Sequence, residues 1–311
     1  MIARMVRNLT GAALAVALAA GPASAAEKIK VAVGQLGLWD TLPTVFADRN
    51  GYFKEAGLEV EYIRTRGGAE TAQAVIAGSN QFGMTMGVLA AIASYAKGAP
   101  VRIVSSEMIG NPDLFWFVRA DSKLKTVKDI DGAKMPYSRP GSGTHMAMLA
   151  LVNQLKLSPK LISVGGPAGS RTQLMSGQMD AAWSVPPFGL DLVQKGEARI
   201  LFTGEIVEEL ADVSTRVNVV HADWLAKNRE TAKKFMQAYK RGHDWQYGAG
   251  KEEAIRYFSE KSKIPLENAR AAAEFYKPKN VALRVSNIDK AIELAVRFKR
   301  IDKPLTDAQN A

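Results

Sequence analysis

The turn Arg139–His145, with the sequence RPGSGTH, contains the residue types in this chain that are best suited to binding a small ligand. The apolar stretch MAMLALVNQL follows it and predicts a helix, and the start of a helix presents free backbone N–H groups and the positive end of its dipole. Because glycine lets the backbone approach closely, such a turn can bind a carboxylate, sulfonate, nitrate or phosphate group, with Arg139 or His145 adding charge. Equally, Ser142 or Thr144 can merely cap the helix while the glycines only make the turn.

Further candidates follow from the rule that open α/β sheets bind ligands outside the carboxyl ends of their strands. The loop QLGLWD after the first strand contains Trp39, which can stack on a ligand, and Asp40, which can accept a ligand N–H. Alternatively, Trp39 packs between helices and Asp40 lies at the surface or caps a helix. Trp183 and Met86 lie near the ends of later strands, where each either lines a cleft or belongs to the core. The full set of predicted ligand-binding residues is Gln35, Trp39, Asp40, Gly68, Met86, Gly87, Arg139, Gly141, Ser142, Gly143, Thr144, His145, Trp183 and Pro186.

No sequence motif typical of catalysis occurs in the chain. There is no phosphate-binding loop, no GxGxxG, no HExxH and no GxSxG pattern. The three histidines are well separated, which argues against a metal site, and the absence of cysteine excludes thiolate nucleophiles, thiolate metal sites and disulfides. His145 and Asp40 are the only pair that suggests acid–base chemistry. We therefore predict no catalytic residues, no metal and no cofactor.

The elements that must position these loops alternate between strand and helix with short connections, which predicts mainly parallel sheets covered by helices. The pattern occurs in two blocks, and the chain from Asp223 onward is nearly all helical. Residues 114–120 form a strand-like segment between the blocks, and residues 216–221 form another that closes the second block. We predict an α/β protein of two lobes with a hinge and a cleft between them. The predicted bounds are residues 27–117 and 215–311 for lobe one, and residues 118–214 for lobe two.

The N-terminus has the pattern of a secretory signal peptide. Two arginines precede an apolar run of ten residues, 11–20, and the small-x-small site Ala23-Ser24-Ala25 follows. The run is shorter than the roughly 20 residues that a membrane-spanning helix needs. We predict cleavage after Ala25, removal of residues 1–25, and export of a soluble protein to the periplasm.

The 311-residue chain carries 41 Lys and Arg against 31 Asp and Glu, a net charge of +10. Loss of the predicted signal peptide removes Arg4 and Arg7, which leaves 39 against 31 and a net charge of +8. The basic residues are scattered, without a long run or interleaved aromatic residues, so they predict a solvated basic surface and no nucleic-acid partner. With 47% hydrophobic residues, the composition is that of a globular protein.

Five short segments, in the same order along the chain, resemble the nitrate/sulfonate/taurine-binding family of ABC importers, which includes binders of thiamine-pyrimidine precursors. The resemblance runs from about residue 28 to residue 225. Two departures concern the ligand: Gln81 stands where the family usually has Asp, and the cysteine-rich segment of the superfamily's thiamine-precursor enzymes is missing. The five segments are GYFKEAGLEV at 51–60, AGSNQFG at 77–83, KGAP at 97–100, TVKDIDGAK at 126–134 and MSGQMDAA at 175–182.

The resemblance implies a type II periplasmic-binding-protein fold whose two lobes close on a small molecule and deliver it to a membrane permease, without a cofactor. The family's pocket loops match the positions around Trp39, Gly68, Met86-Gly87, 141–144 and 183–186, in agreement with the strand-end rule. We expect a monomeric solute-binding protein for an organic or anionic ligand of sulfonate, nitrate, aromatic carboxylate or pyrimidine type. Two alternatives stay open: an enzyme on the same fold acting on a pyrimidine-like heterocycle, and a ligand-sensing module for a membrane receptor.

Overall fold

The computed structural model describes residues 26–305. The predicted signal peptide, residues 1–25, and its cleavage site lie outside the described residues. Within the described residues no helix is both long and apolar enough to cross a membrane.

Strands and helices alternate along the first two thirds of the described chain, and helices alone follow the last strand. The strands are β1 (Glu27–Gly34), β2 (Leu58–Thr65), β3 (Phe82–Gly87), β4 (Val101–Ile109), β5 (Phe115–Arg119), β6 (Lys134–Tyr137), β7 (Lys160–Ser163), β8 (Ala182–Ser184), β9 (Ala198–Thr203) and β10 (Ser214–His221). The helices are α1 (Leu42–Arg49), α2 (Tyr52–Glu55), α3 (Gly68–Ile76), α4 (Val88–Ala96), α5 (Gly143–Leu155), α6 (Pro167–Met175), α7 (Leu190–Gln194), α8 (Ala222–Lys227), α9 (Arg229–Tyr247), α10 (Lys251–Ser262), α11 (Leu266–Ala273) and α12 (Ile288–Arg297).

Lobe one is built on a five-stranded sheet with the order β2-β1-β3-β10-β4. Strand β1 pairs in parallel with β2 and β3, whereas β10 runs antiparallel to both β3 and β4. One face of the sheet packs Val31 and Phe82 against Phe235 of α9, and the other packs Val217 and Val219 with α3, α4 and α12. Because both faces are covered, the central strands β3 and β10 are buried along most of their length, as expected for a sheet between two helical layers.

Lobe two contains a three-stranded antiparallel sheet with the order β8-β5-β9 and a parallel pair formed by β6 and β7. The indole N–H of Trp116, on β5, donates to the backbone oxygen of Pro136 on β6 at 2.9 Å, which ties the two groups of strands together. The same ring is fully buried and stacks on Phe202 with ring centroids 5.0 Å apart. The predicted α/β class, with strand–helix units in two blocks, is confirmed.

Strand β5 pairs only with strands of lobe two, and this pairing indicates where the boundary between the lobes lies. All five of its residues pair with β8 or β9, whereas the sequence predicted a boundary between residues 117 and 118, in the middle of this strand. We therefore propose that the chain crosses from lobe one to lobe two at residues 110–114 and returns at residues 204–213. The two crossings pack tightly, because a Cβ atom on Gly204 would collide with the backbone of Asn111.

The C-terminal helices return to lobe one. Helix α9 packs along α1, and α12 packs against α4. In the helical region that the sequence predicted from Asp223 onward, the structure separates α8 from α9 at Asn228, whose backbone leaves the helical region (φ −133°, ψ 40°). The break lets α8 contact β10 while α9 packs along α1.

Candidate ligand-binding cleft

A cleft lies between the lobes, where the carboxyl ends of strands from both sheets face each other. This is the position at which open α/β sheets bind ligands. The lining residues from lobe one are Gly34, Gln35, Leu38, Asp40, Arg66, Gly67, Gly68, Thr85, Gly87, Ala90 and Arg216. Those from the first crossing and lobe two are Leu114, Ser138, Arg139, Pro140, Gly141, Ser142, Gly143, Thr144, Gly165, Gly166, Trp183 and Val185.

Ten of the fourteen residues predicted to bind ligand line this cleft. Their contact with a ligand stays a prediction, but the fold brings them to one place from loops far apart in the sequence. These ten residues are Gln35, Asp40, Gly68, Gly87, Arg139, Gly141, Ser142, Gly143, Thr144 and Trp183.

Three of the other predicted residues are buried away from the cleft. Trp39 is fully buried in lobe one, where its ring packs edge-on against Tyr247 and Phe258, so it cannot stack on a ligand in this arrangement. Met86 is also fully buried and belongs to the core beneath α4. Pro186 is buried next to the lining residue Val185 and does not itself line the cleft.

His145 is the fourth predicted residue that does not line the cleft, and its side chain stabilises the turn before α5. Its Nδ1 accepts a hydrogen bond from the backbone N–H of Gly141 at 3.1 Å, and its ring stacks on Tyr137 with centroids 4.4 Å apart. Burial, followed by the positive charge of Arg300, lowers the pKa of His145 to about 4. The side chain is therefore neutral near pH 7, and it does not supply the positive charge that the sequence suggested.

The N-terminus of α5 forms the lobe-two wall of the cleft. Ser142 caps the helix by accepting the backbone N–H of His145 at 3.2 Å, which is the capping role the sequence left open. Thr144 Oγ1 accepts the backbone N–H of Ser138 at 2.8 Å and lies 2.9 Å from Ser142 Oγ, so the hydroxyl groups brace the turn. Among the described residues, the N–H groups of Gly143 and Thr144 have no hydrogen-bond acceptor. These two donors, at the positive end of a 13-residue helix, are available to an anionic or polar group.

The two walls of the cleft touch at a pair of glycines. A Cβ atom on Gly87, at the start of α4, would collide with the backbone oxygen of Gly141 and lie 2.9 Å from Ser142 Cα. Gly141 adopts a positive φ of 83°, and a Cβ atom added to it would lie 3.1 Å from the Cβ of Ala90. Both positions therefore require glycine for close approach of the backbones, and the structure shows the lobes closed on each other.

A network of buried charged residues lies behind the cleft, and the sequence analysis identified only Asp40 among its members. Arg216, on β10, lies 2.6 Å from Asp113, 3.6 Å from Asp40 and 4.0 Å from Glu107. Exposure is 8% for Arg216, 5% for Asp40, 5% for Glu107 and 0% for Asp113. Asp40 and Arg216 line the cleft, Asp113 lies in the first crossing between lobes, and Glu107 lies behind them on β4. The network thus connects the cleft to the hinge.

Burial and the close spacing of the charges shift the pKa values of the groups in this network. Burial, followed by the negative charge of Asp40, raises the pKa of Glu107 well above its usual range. Burial also raises the pKa of Asp113, although the nearby Arg216 opposes the shift. Burial opposes the charge of Arg216 as well, but the surrounding carboxyl groups outweigh it and raise the pKa of this guanidinium further. Burial thus favours the neutral form of Glu107, and the surrounding carboxyl groups favour the charged form of Arg216.

The outer part of the cleft is basic and open to solvent. Arg66 and Arg139 line it, and Arg66 Nε lies 3.0 Å from the carboxylate of Glu70. The Trp183 indole N–H donates to the backbone oxygen of Gly165 at 3.2 Å, so the ring is held as one wall of the cleft. Within residues 26–305, no group of three or more His, Asp or Glu side chains is arranged to hold a metal ion.

Two α/β lobes, two chain crossings and a cleft between strand ends define the periplasmic-binding-protein fold, and the comparisons with known proteins agree with this class. The chain belongs to the NMT1/THI5-like family, whose model matches residues 39–252. This match includes Asp40, the α5 turn and the whole of α9. The resemblance inferred from short sequence segments is thereby confirmed at the level of the family.

Solved structures with this fold include the periplasmic aliphatic sulphonate binding protein SsuA from Escherichia coli. It is 17% identical, with a TM-score of 0.73 and coverage of 91% of each chain. The periplasmic nitrate-binding protein NrtA from Synechocystis PCC 6803 is also 17% identical, with a TM-score of 0.70 over 91% of this chain and 84% of that one. The protein YtlA from Bacillus subtilis (strain 168) is 24% identical over 208 residues, 65% of this chain, and the match spans 61% of its length.

Proposed function

We propose that this chain is the exported solute-binding component of an ABC importer, which captures a small molecule in the interlobe cleft and passes it on unchanged. The observation that carries the proposal is the closed cleft between two lobes, with unpaired backbone donors on one wall and buried polar groups on the other. Family membership and the shared fold support it, because the two solved structures are named as binding proteins for a sulphonate and for nitrate.

The N-terminus of α5 is the proposed seat of an acidic or polar group of the ligand. The N–H groups of Gly143 and Thr144 donate to it, and Arg139 at the mouth of the cleft adds positive charge. Trp183 and Leu38 offer apolar surface from the two lobes for the rest of the molecule. Sulfonate, nitrate, aromatic carboxylate and pyrimidine-type compounds are the classes that we propose to test.

Capture is proposed to occur by rotation of the lobes about the crossings at residues 110–114 and 204–213. A ligand favours the closed arrangement only to the extent that it binds that arrangement better than the open one. In the proposed cycle the periplasmic chain works as a monomer, and the closed form docks on a permease in the inner membrane. The same closed form would be presented if the partner were a membrane sensor.

No observation favours the enzyme alternative over the binding protein. The sequence offered His145 and Asp40 as its only acid–base pair, but His145 Nδ1 already accepts a hydrogen bond from Gly141 and the residue does not line the cleft. Asp40 therefore has no histidine partner in the cleft. We propose that the bound ligand leaves with its covalent structure intact.

A thermal-shift screen of the chain purified from the periplasm of an expressing host tests this function. The panel contains small anions, alkylsulfonates, aromatic carboxylates and pyrimidines. A ligand present at about 100 times its dissociation constant is expected to stabilise the chain by about 2.7 kcal/mol, a clear rise in the unfolding midpoint.

The fate of the ligand separates the two classes of function. Mass spectrometry of the incubated mixture is expected to recover each stabilising compound unchanged. A stabilising compound that is recovered in altered form would show turnover and contradict the binding-protein proposal.

A further inference from the structure

The buried network behind the cleft contains more acidic than basic groups. Asp40, Glu107 and Asp113 face the single guanidinium of Arg216, and all four residues are more than nine-tenths buried. Three buried carboxyl groups therefore share one cation. Among the described residues, no other Lys, Arg or His lies within ion-pair distance of these three carboxyl groups.

Asp40 and Glu107 receive no hydrogen bond from Arg216, and of these two only Asp40 lines the cleft. Arg216 donates a 2.6 Å charge-assisted hydrogen bond to Asp113 but lies 3.6 Å from Asp40. Oδ1 of Asp40 has no hydrogen-bond donor among the described residues, and the carboxyl oxygens of Glu107 likewise have none. A proton shared between Asp40 and Glu107 can join these two groups, yet their combined negative charge remains.

An uncompensated buried charge costs several kcal/mol, so a folded protein normally pairs it. Asp40 lines the cleft, whereas Glu107 lies behind it, and the missing cation can therefore arrive only from the cleft side. The neighbouring guanidinium of Arg216 is already surrounded by carboxyl groups, which makes this region unfavourable for an anion. The anion-binding N–H groups of α5 lie close by, because a Cβ on Gly143 would be 3.7 Å from Arg216 Cγ.

We propose that the inner end of the cleft is a second subsite, in which Asp40 accepts a cationic or N–H-donating group of the ligand. This inference rests on the proposed function and names its ligand class. The α5 N-terminus holds an acidic or acceptor group, and Asp40 holds an ammonium, amidinium or amino group only a few atoms away. The ligand is therefore a small molecule that carries both groups, and a simple anion fills only one of the two subsites.

Crystals of the periplasmically processed chain soaked in rubidium bromide test this subsite without knowledge of the ligand. Rubidium is a monovalent cation close in size to ammonium, bromide reports on anion sites, and anomalous scattering distinguishes the two. We expect rubidium in contact with the Asp40 carboxylate and bromide at the N–H groups of Gly143 and Thr144. The Asp40→Asn variant is expected to lose the rubidium and to keep the bromide.

Competition between rubidium and a second cation tests the same subsite in wild-type crystals, without a variant. Added ammonium chloride is expected to displace the rubidium, because ammonium donates N–H groups to Asp40. Tetramethylammonium chloride is expected to leave it in place, because this ion has no N–H group.

The outcomes separate this inference from the proposed function. Bromide at the N-terminus of α5 without rubidium at Asp40 would support the proposed anion site and overturn the cation subsite. Bromide beside Asp40, or rubidium that persists unchanged in Asp40→Asn, would overturn it as well. Rubidium at Asp40 without bromide at the N-terminus of α5 would contradict the proposed anion site and support the cation subsite.

Discussion

Replacing Arg216 with methionine is expected to lower the free energy of unfolding by about 3–5 kcal/mol. Methionine fills similar space, but it leaves three buried carboxyl groups, on Asp40, Glu107 and Asp113, without any cation within 4.0 Å. Breaking a buried ion pair by removing one partner is costly because the remaining charge stays in a poorly solvated place. Urea unfolding of wild type and Arg216→Met, followed by tryptophan fluorescence, measures the difference.

Asp40→Asn is the matched control for this prediction. It removes a carboxylate that lies 3.6 Å from Arg216 without a hydrogen bond to it and reduces the excess negative charge, so the ligand-free chain is expected to keep or gain stability. The double variant Arg216→Met/Asp40→Asn is expected to recover part of the stability lost in Arg216→Met. A single Arg216→Met variant within about 1 kcal/mol of wild type would show that the network is not held by this guanidinium.

Gly87→Ala is expected to weaken ligand binding by about ten- to hundred-fold while leaving the unliganded chain folded. Gly87 has an ordinary backbone conformation (φ −62°), so alanine introduces no backbone strain. Its Cβ, however, would collide with Gly141 and lie 2.9 Å from Ser142 Cα on the opposite lobe when the cleft is closed. Overpacking of this kind costs about 1–3 kcal/mol, and each 1.4 kcal/mol is about tenfold in affinity.

Gly166→Ala provides the control, since it makes the same change at the cleft of lobe two. Gly166 also has an ordinary backbone conformation (φ −76°), and its Cβ would lie 3.5 Å from Gln35 Nε2, a normal contact with a flexible side chain. Calorimetric titration with a ligand from the screen is expected to give wild-type affinity for Gly166→Ala and weak binding for Gly87→Ala. Equal affinity for wild type and Gly87→Ala would mean that binding does not need the closed contact between Gly87 and Gly141.

Local sequence patterns predicted the positions of most strands and the loops that follow them. The turn Arg139–His145 could be predicted because a glycine-bearing segment between a strand and an apolar helix fixes both the backbone and its free N–H groups. Strand ends converge in α/β sheets as a rule of the fold, so ten predicted residues line one cleft although they come from five separate segments of the chain.

The burial of particular side chains could not be predicted in the same way. Trp39 lies in the loop after the first strand, but its indole points into the core of lobe one. There it packs edge-on against Tyr247 and Phe258, which lie about 200 residues later in the sequence. The charged network is also a product of tertiary structure, because Glu107, Asp113 and Arg216 come from two strands and a crossing. The signal available in the sequence was the presence of single charged residues within apolar stretches, such as Glu107 and Asp113 in SSEMIGNPDLFWF.

The crystal structure of the chain with the strongest ligand of the thermal-shift screen tests the central claim most directly. We expect an intact ligand between the lobes, with its acceptor group at the N–H groups of Gly143 and Thr144 and its donor group at Asp40. Gly87 is expected to rest against Gly141, as in the closed arrangement described above. A ligand that contacts one lobe only, that lies outside the cleft, or that has been chemically changed would contradict it.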